Sequence, residues 1–418
     1  MKFRSVKGTR DILPADAPAW QAIERTVRRV MQDFHYREIR TPIFEPTALF
    51  SRSIGELTDI VSKEMYTFPD RSGDSLTLRP EGTAAVLRAY VQNNLGEQNP
   101  LAKVYYIGPM FRQERPQAGR LRQFHQFGAE ALGAPSPALD VEMILLPLEI
   151  YKSFRVMECA VKVNSVGCQN CRPRYKELLR AELNKIRERL PSDSQARIDN
   201  NPLRVLDSKD EQDHLATANM PLLRDHLCDE CRTHATRVGS LLQTLGIRYE
   251  EDPRLVRGLD YYTKTAFEIT STALGSQDAL AGGGRYDLLV EELGGKPTPG
   301  VGFAAGIERL LMVLEKGGAT FTDPGPVLYI VALDEPSRTW AFETAASLRS
   351  RGVAVEVDYL ERSVKAQMRD ANRVQAQHVI VVGEAELASG RVRLKNMATG
   401  EEIEAPLDQL PLATIREL

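Results

Sequence analysis

Residues 111–130 read F-R-Q-E-R-P-Q-A-G-R-L-R-Q-F-H-Q-F-G-A-E, and no other stretch of the chain is as informative about its architecture. The pattern predicts an antiparallel hairpin, with strands over residues 103–112 and 122–132 and a long polar loop between them. Because successive side chains of a strand point to opposite faces, Gln126 and Glu130 are expected on the same face.

The loop of this predicted hairpin is strongly basic. Guanidinium groups stay charged near neutral pH, and their forked donors match phosphate oxygens. The arginines in and beside the loop are Arg112, Arg115, Arg120 and Arg122. Carboxylate and amide groups close by, at Glu114, Gln126 and Glu130, would let one site bind a triphosphate and an amino group together. A solvated surface loop is the alternative interpretation.

Two segments further along the chain combine arginine, aspartate and tyrosine with glycine. Residues 256–263 read V-R-G-L-D-Y-Y-T, and residues 281–287 read A-G-G-G-R-Y-D. Glycine lets backbone approach a ligand closely, arginine supplies a fixed cation for an anionic group, and tyrosine hydroxyls can hydrogen-bond a ring. The combination indicates a small polar substrate with an aromatic or imidazole ring. Two strands and a glycine turn, with the tyrosines in the core, are the alternative.

Two more segments contribute polar groups to the predicted site. Residues 78–83 read L-R-P-E-G-T. If they are extended, Glu81 and Thr83 point to the same side, and a buried glutamate there could hold an ammonium group. Residues 300–315 read G-V-G-F-A-A-G-I-E-R-L-L-M-V-L-E and predict a strand that runs into a helix carrying Arg309. The glycine spacing of this last segment differs from that of a dinucleotide-binding fingerprint.

Three arginines could therefore surround one polyphosphate, namely Arg112, Arg257 and Arg309. No cluster of aspartate or histidine residues in the sequence competes for that task. The arrangement suits attack of a carboxylate on the α-phosphate of a nucleotide, with pyrophosphate leaving. Such a reaction depends on positioning and charge stabilisation, and it needs no nucleophile from the protein.

The chain has 418 residues, of which 27% are charged, and a formal net charge of -3, which indicates two or three globular domains. We predict a catalytic domain over residues 1–322, a polar helical insertion within it over 165–242, and an α/β domain over 326–418 after a Gly- and Pro-rich linker. No apolar run is long enough to span a bilayer, and the N-terminus lacks the apolar core of a signal peptide. A cytoplasmic location is therefore expected.

Four of the 5 cysteines form two C-x-x-C pairs, Cys168 with Cys171 and Cys228 with Cys231. In a chain expected to be cytosolic, this spacing favours metal over disulfides, because two such pairs can supply four thiolates to a tetrahedral zinc ion. The gap between the pairs is longer than in compact zinc ribbons. Reduced thiols near the starts of helices are the alternative.

Taken together, these segments resemble the motifs of the histidyl-tRNA synthetase family, a member of the class II aminoacyl-tRNA synthetases. K-G-T-R-D at 7–11 is similar to the family's N-terminal signature, and R-T-P-I-F-E at 40–45 is similar to class II motif 1, which lies at the dimer interface in the family. Residues 111–130 resemble motif 2, and residues 300–310 resemble motif 3. The two glycine- and tyrosine-containing segments resemble the motifs peculiar to histidine-specific enzymes. The likeness covers nearly the whole chain.

The resemblance implies both a fold and a reaction. The fold is an α+β catalytic domain built on an antiparallel sheet flanked by helices, with a helical insertion and a C-terminal α/β anticodon-binding domain. In the reaction, L-histidine and ATP form histidyl-adenylate and pyrophosphate, and the histidyl group then moves to the 3′ end of tRNA(His). The implied partners are L-histidine, ATP with Mg²⁺, tRNA(His) and a second copy of the chain, with no membrane. The resemblance does not decide whether Zn²⁺ is bound.

The resemblance also implies roles for individual residues. Arg112 and Arg257 would be catalytic, and Arg257 would bind both the histidine carboxylate and the α-phosphate. The histidine pocket would consist of Glu81, Thr83, Gln126, Glu130, Arg257, Tyr262 and Tyr286. The ATP site would consist of Arg112, Glu114, Arg120 and Arg309. The extra 5′ guanine of tRNA(His) would be contacted by Arg115 and Gln117. The ligands of any zinc would be Cys168, Cys171, Cys228 and Cys231.

Two other functions share some of these features. The regulatory subunit of ATP phosphoribosyltransferase is a non-catalytic relative of this fold in histidine biosynthesis. It typically lacks an anticodon domain and degrades the two histidine-specific motifs, both of which are intact here. A plain ATP-dependent carboxylate–amine ligase would explain the arginines but not the C-terminal domain.

Overall fold

The computed structural model describes residues 3–55, 58, 60–117, 119–208, 210–256, 259, 261–275, 278–407 and 410. The chain divides into two compact units, Met1–Phe321 and Thr322–Leu418. Each unit has its own sheet and its own hydrophobic core. Within the described part of the chain, no helix combines the length and the apolar character that crossing a bilayer requires.

The first unit is built on a mixed sheet, in which the described residues form eight strands, and on a smaller sheet of three. In chain order the strands are β1 (Arg37–Glu38), β2 (Phe44–Pro46), β3 (Tyr66–Pro69), β4 (Ser75–Leu78), β5 (Ala102–Phe111), β6 (Gln123–Leu132), β7 (Ala160–Ser165), β8 (Glu250–Glu251), β9 (Thr263–Thr270), β10 (Ala279–Arg285) and β11 (Gly300–Gly306). The large sheet has the order β1-β5-β6-β11-β10-β9-β7-β8 and is antiparallel from β5 to β7, with a parallel pair at each edge. The small sheet has the antiparallel order β2-β4-β3. The predicted fold class is confirmed.

The predicted hairpin is present as β5 and β6, which pair antiparallel along their length. On its other side β6 pairs with β11, and this register places Gly302 opposite Glu130. The next strand, β10, places Gly284 opposite Gly302. The sheet order therefore places β11 directly beside the strand that carries the polar residues of motif 2, and the second glycine-rich strand, β10, lies on the far side of β11.

Helices pack on this sheet. The helices of the first unit are α1 (Ala17–Asp33), α2 (Thr47–Ile54), α3 (Thr83–Gln92), α4 (Leu95–Gln98), α5 (Pro137–Ser153), α6 (Arg172–Lys185), α7 (Ser192–Asn200), α8 (Leu203–Leu206), α9 (Glu211–Ala216), α10 (Asp229–Thr244), α11 (Leu289–Glu292) and α12 (Ile307–Lys316). Helix α1 begins after Asp16, as predicted. Its apolar residues recur at helical spacing and join the main core, in which α1, α5 and α12 cover the sheet.

The helices α6 to α9 and the start of α10 contribute to a second hydrophobic core, whereas Val238 and Leu242 further along α10 join the main core. The second core also contains Tyr261, Tyr262 and Tyr286 from segments 256–263 and 281–287, which we call the two histidine-type segments. Cys168, Cys171 and Cys231 belong to the same core. The helical region and the tyrosine-bearing segments therefore share one hydrophobic core.

The stretch 78–83 is not extended throughout. Strand β4 ends at Leu78, and α3 begins at Thr83. The Glu81 carboxylate accepts hydrogen bonds from the backbone N–H groups of Thr83 at 2.6 Å and Ala84 at 2.9 Å. The expectation that Glu81 and Thr83 share one side of an extended chain is wrong, because Glu81 instead caps the unpaired N–H groups at the start of a helix.

The second unit is an α/β structure. Its strands are β12 (Leu328–Ala332), β13 (Val355–Val357), β14 (His378–Val382), β15 (Arg391–Asn396) and β16 (Glu402–Pro406), and its helices are α13 (Glu335–Ser350), α14 (Val364–Arg373) and α15 (Glu384–Ser389). The order is β13-β12-β14-β15-β16. The first three strands are parallel, as predicted, and β15 and β16 add an antiparallel hairpin that the sequence pattern did not indicate.

Candidate active site

A cavity of about 470 Å³ opens in the first unit. It is lined by β6, β9, β10 and β11, by the loop between β5 and β6, and by the first residues of α3 and α12. The predicted site residues that line it are Glu81, Thr83, Arg112, Glu114, Arg120, Gln126, Tyr262, Tyr286 and Arg309. The size is typical of a small-molecule site.

A buried carboxylate lies directly behind one wall of the cavity. Glu130 is fully buried, and it accepts hydrogen bonds from the hydroxyl of Tyr286 and, at 2.7 Å, from Thr83 Oγ1. Burial raises the pKa of Glu130 to about 8, against the opposing effect of these two hydrogen bonds. When Glu130 is ionised, both hydroxyls direct their protons to it, and their oxygen lone pairs can then accept a donor from the cavity.

Glycine is required at the contact between β11 and this carboxylate. A Cβ atom at Gly302 would collide with a carboxylate oxygen of Glu130 and with the backbone carbonyl of Ala129. The glycine of motif 3 therefore makes room for the glutamate of motif 2 on the adjacent strand.

Aromatic rings and an amide complete this part of the cavity. The ring centroid of Tyr261 lies 4.7 Å from that of Tyr262 and 5.6 Å from that of Tyr286. The buried Oε1 atom of Gln126 has no hydrogen-bond partner among the residues that the structure describes. Because an unpaired buried acceptor costs ~1–3 kcal/mol, a ligand N–H placed here would bind favourably.

Three arginines converge on another part of the cavity. Arg112 Nη1 lies 3.7 Å from a carboxylate oxygen of Glu114, and Arg120 Nε lies 3.4 Å from the other. Arg309 Nη1 donates a hydrogen bond to the carbonyl of Ala279 at 2.6 Å. Burial, followed by the charges of Arg120 and Arg112, lowers the pKa of Arg309. The mutual repulsion of these cations would be relieved by an anionic ligand such as a polyphosphate.

Some predicted site residues lie elsewhere. Arg115 and Gln117 are exposed in the loop between β5 and β6 and do not line the cavity. Arg257, the predicted catalytic arginine, lies outside the described residues, so its position relative to the cavity stays a prediction. The second arginine of the histidine-type segments, Arg285, is fully buried: its Nε donates to both Asp140 carboxylate oxygens, at 3.1 and 3.2 Å. Arg285 is therefore structural.

The structure adds cavity residues that sequence reasoning missed. Phe124 lies under the Arg112 guanidinium, with the carbon of the guanidinium 5.3 Å from the ring centroid. Strand alternation puts Phe124 on the face of Gln126, so this residue could have been found. Glu268 on β9 and Arg204 after the start of α8 also line the cavity, but no local motif marks them.

The four paired cysteines come together in space. Cys168 Sγ lies 3.9 Å from Cys171 Sγ and 3.7 Å from Cys228 Sγ, and the sulfur atoms of Cys171 and Cys231 are 3.9 Å apart. All four lie within 4.8 Å of one another. The backbone N–H groups of Cys168 and Asn170 also point at sulfur atoms, at 3.3 and 3.4 Å. Two of these cysteines precede α6 and α10 directly, so the thiols are both clustered and at helix starts.

An antiparallel sheet of this order, with converging arginines at an amino-acid-sized pocket, is the architecture of a class II aminoacyl-tRNA synthetase. The family model described as Histidyl-tRNA synthetase matches residues 8–310, and the model described as Anticodon binding domain matches residues 328–417. The chain belongs to the histidyl-tRNA synthetase family.

Individual relatives match along the full length. A histidine–tRNA ligase of Halothermothrix orenii is 51% identical over 411 residues, which cover 98% of each chain. One from Caldanaerobacter subterraneus is 47% identical and covers 99% of each chain. The solved structure of apo histidyl-tRNA synthetase from S. aureus superposes with a TM-score of 0.84 at 38% identity, covering 100% of this chain and 99% of that one.

The non-catalytic alternative has less support. A solved structure from Bacillus halodurans, described as an ATP phosphoribosyltransferase regulatory subunit/histidyl-tRNA synthetase, superposes with a TM-score of 0.65 and covers 92% of this chain and 99% of that one. At 21% identity this likeness shows the shared fold alone. The full-length relatives with much higher identity are ligases.

Proposed function

We propose that this protein is a working histidine–tRNA ligase. It forms histidyl-adenylate and pyrophosphate from L-histidine and ATP, and then transfers the histidyl group to the 3′ end of tRNA(His). The observation that carries this proposal is the shared cavity. Hydroxyl and amide groups suited to histidine line the same volume as three converging arginines suited to a triphosphate.

Histidine offers an ammonium group, a carboxylate and an imidazole ring to this cavity. The Gln126 amide oxygen and the Glu81 carboxylate are acceptors for the ammonium group. Burial raises the pKa of Glu81, and an adjacent cation would favour its ionised form. The Tyr286 hydroxyl, whose proton is directed to Glu130, can accept an imidazole N–H. We assign the histidine carboxylate to Arg257.

ATP binds through its phosphates to Arg112, Arg120 and Arg309, with Glu114 orienting the first two guanidinium groups. A carboxylate oxygen of histidine attacks the α-phosphorus, and the bond to the bridging oxygen breaks. Pyrophosphate leaves with that electron pair, so the step needs no proton transfer. Fixed guanidinium charges from Arg112 and Arg257 stabilise the negative charge that builds on the α-phosphoryl oxygens.

ATP enters as its Mg²⁺ complex, as class II synthetases in general use it. Glu114 and Glu268 line the cavity and carry oxygen ligands of the kind that Mg²⁺ prefers, so the residues present fit the ion. Bound there, Mg²⁺ would neutralise charge on the departing pyrophosphate.

The tRNA contacts lie outside the cavity. We assign the 5′ guanine of tRNA(His) to Arg115 and Gln117, because both are exposed on the loop that also carries the phosphate-binding arginines. We assign catalysis to residues 1–322, with an insertion at 165–242, and anticodon binding to residues 326–418. The match of 328–417 to an anticodon-binding model supports this division.

The small sheet of the first unit presents apolar side chains to solvent. Ile43 and Phe44, in the segment that resembles motif 1, are exposed, and so is Phe68 on β3 of the same sheet. Apolar surface concentrated in this way marks an interface. A second copy of the chain would cover it, and we propose a homodimer that acts in the cytoplasm.

The four clustered thiols fit a zinc ion. With Zn–S bonds of ~2.3 Å, tetrahedral geometry places sulfur atoms roughly 3.8 Å apart. Three of the sulfur separations are 3.7, 3.9 and 3.9 Å. Three of the four cysteines are buried, so the ligands are already gathered and shielded. We propose Zn²⁺ bound by Cys168, Cys171, Cys228 and Cys231, where it would join the starts of α6 and α10.

Exchange of labelled pyrophosphate into ATP tests the central proposal. The purified protein should catalyse exchange with L-histidine, should fail with the other standard amino acids, and should charge tRNA(His). A regulatory subunit would catalyse no exchange, and a plain carboxylate–amine ligase would leave tRNA uncharged. Protein that binds ATP but shows no histidine-dependent exchange would refute the assignment.

A further inference from the structure

We propose that the four-cysteine centre positions the histidine pocket, so that a bound zinc ion tightens the binding of histidine and leaves that of ATP unchanged. This inference rests on the proposed function. Two residues adjacent to the cysteines, Arg172 and Glu230, connect the metal centre to the pocket. They act as positioning residues for the pocket tyrosines.

The first cysteine pair reaches Tyr262 through a guanidinium group. Arg172 directly follows Cys171 and is the first residue of α6. Its Nη2 donates hydrogen bonds to the backbone carbonyl of Tyr262 and, at 3.4 Å, to that of Gly167, which directly precedes Cys168. Arg172 therefore connects the turn at residues 167–171, the first cysteine turn, to the backbone of a tyrosine that lines the cavity.

The same turn also holds the chain that follows Tyr262. The Val166 N–H donates to the Lys264 carbonyl at 2.7 Å, and the Lys264 N–H donates to the Gly167 carbonyl at 2.8 Å. Lys264 has a φ of 51°, in the left-handed region that side-chain-bearing residues seldom adopt. Such a conformation persists only where its surroundings enforce it, and here the cysteine turn supplies the enforcing hydrogen bonds.

The second cysteine pair reaches Tyr286. Glu230 lies between Cys228 and Cys231, and its carboxylate is 2.8 Å from Lys264 Nζ. The same ammonium group lies 3.2 Å from the carboxylate of Asp287, the residue that follows Tyr286. One lysine thus links the second cysteine turn to both histidine-type segments.

A buried ion network adds a second route from the same helix. His234, one turn beyond Cys231 on α10, has Nε2 at 3.0 Å from Asp140, and Asp140 pairs with Arg285, which directly precedes Tyr286. Burial alone would raise the pKa of Asp140, but the hydrogen bond from His234 and the charge of Arg285 hold it below its ordinary value. The ionised network fixes the end of β10 against α10.

The two pocket tyrosines therefore take their positions from elements that meet at the four sulfur atoms. The sulfur atoms of the two cysteine pairs lie within contact distance, and a zinc ion bonded to all four would join the starts of α6 and α10 more firmly than these contacts do. The phosphate-binding arginines are instead held by the loop between β5 and β6 and by β10. Loss of the ion should consequently loosen the histidine end of the cavity and spare the ATP end.

The direct test compares one protein in three states: zinc-loaded, stripped with a chelator, and restored with Zn²⁺ alone. Metal content is measured by mass spectrometry, folding by circular dichroism, and affinities for histidine and for ATP by calorimetry. Stripping should weaken histidine binding on the order of tenfold, the effect of losing roughly one charge-assisted hydrogen bond. ATP affinity should not change, and Zn²⁺ should restore histidine binding.

Variants keep the test decisive if the stripped protein unfolds. With zinc retained, Arg172→Ala should raise the KM for histidine about tenfold with little change in kcat, and Glu230→Ala, which removes a largely exposed ion pair, should raise it about two- to threefold. Arg172→Lys keeps one donor and should recover part of the loss. The matched controls are Arg174→Ala, an exposed arginine on the same helix, and Asp229→Ala, an exposed acid beside Glu230; both should behave as wild type.

Each outcome bears on one proposal. If stripped protein, Arg172→Ala and Glu230→Ala all bind histidine as wild type does, the positioning role is refuted, while histidine-dependent exchange still supports the ligase. Protein that purifies without zinc and binds histidine fully also overturns the inference. Absence of exchange in zinc-loaded wild type refutes the ligase instead.

Discussion

Replacing Tyr286 by phenylalanine removes one oxygen atom from the wall of the histidine pocket. That oxygen donates a hydrogen bond to Glu130 and faces the cavity. In the variant, Glu130 keeps the hydrogen bond from Thr83 at 2.7 Å, and one of its carboxylate oxygens loses its donor. The substrate ring also loses the acceptor that we assign to it.

The size of the effect on histidine binding follows from the lost acceptor, because Glu130 lacks its donor in the free enzyme as well as in the complex. A buried polar group left without its partner costs ~1–3 kcal/mol, which corresponds to roughly 5- to 150-fold in binding. The KM for histidine in pyrophosphate exchange should therefore rise by about that factor. The KM for ATP should stay near wild type, because the phosphate-binding arginines make no use of this hydroxyl.

Tyr151→Phe provides the matched control. Tyr151 on α5 is as deeply buried as Tyr286, it does not line the cavity, and its hydroxyl has no partner among the described residues. Both variants lose one buried oxygen, so a difference in histidine KM reports on the pocket and not on burial. If Tyr286→Phe and Tyr151→Phe give the same KM for histidine, the assigned role of the Tyr286–Glu130 pair is wrong.

Three further predictions concern charge, catalysis and the second unit. Because burial raises the pKa of Glu130 to about 8 from 4.5, the folded protein holds a proton that the unfolded chain releases, so the free energy of unfolding should fall as the pH rises from about 5 to 8. Glu130→Gln should flatten this fall in urea titrations, and an unchanged slope would contradict it. Arg257→His should slow adenylate formation by ~10²–10³-fold in pre-steady-state experiments, and a near-normal rate would reject its catalytic role. A chain ending at Phe321 should still form adenylate but charge tRNA(His) poorly, whereas equal charging would show that the second unit is dispensable.

Much of the site was predictable because its residues lie in short segments with a regular local structure. Gln126 and Glu130 lie on the same face of one strand, and Arg309 follows the turn from a strand into a helix. Their side-chain directions follow from the period of the element alone. The sequence identified Glu81 as a site residue but did not predict its backbone conformation. Its carboxylate caps the start of a helix, and this local hydrogen bonding competes with an extended chain.

The remaining features depend on how distant segments meet. Arg204 lines the cavity although it lies in the helical region, far along the chain from the motifs. The two cysteine pairs are 60 residues apart, and the helices between them return the chain so that the sulfur atoms meet. A repeating sequence pattern indicates the local conformation of one segment. These contacts depend on tertiary packing between distant segments, which such a pattern does not specify.

One part of the cavity gathers cations, and the other part has buried carboxyl groups in or directly behind its wall. Burial and the neighbouring guanidinium charges lower the pKa of Arg309, and burial raises the pKa values of Glu81 and Glu130. In each case the charged form is destabilised in the protein alone. The phosphates of ATP would stabilise the cations, the ammonium group of histidine would stabilise the Glu81 carboxylate, and the imidazole N–H would act on Glu130 through the Tyr286 hydroxyl. A ligand lacking either polar end leaves buried groups unpaired, and such sites reject close analogues strongly. The arginines and Glu81 meet groups that ATP and every amino acid provide, so we assign the selection of histidine to the buried Tyr286–Glu130 pair that meets the imidazole ring.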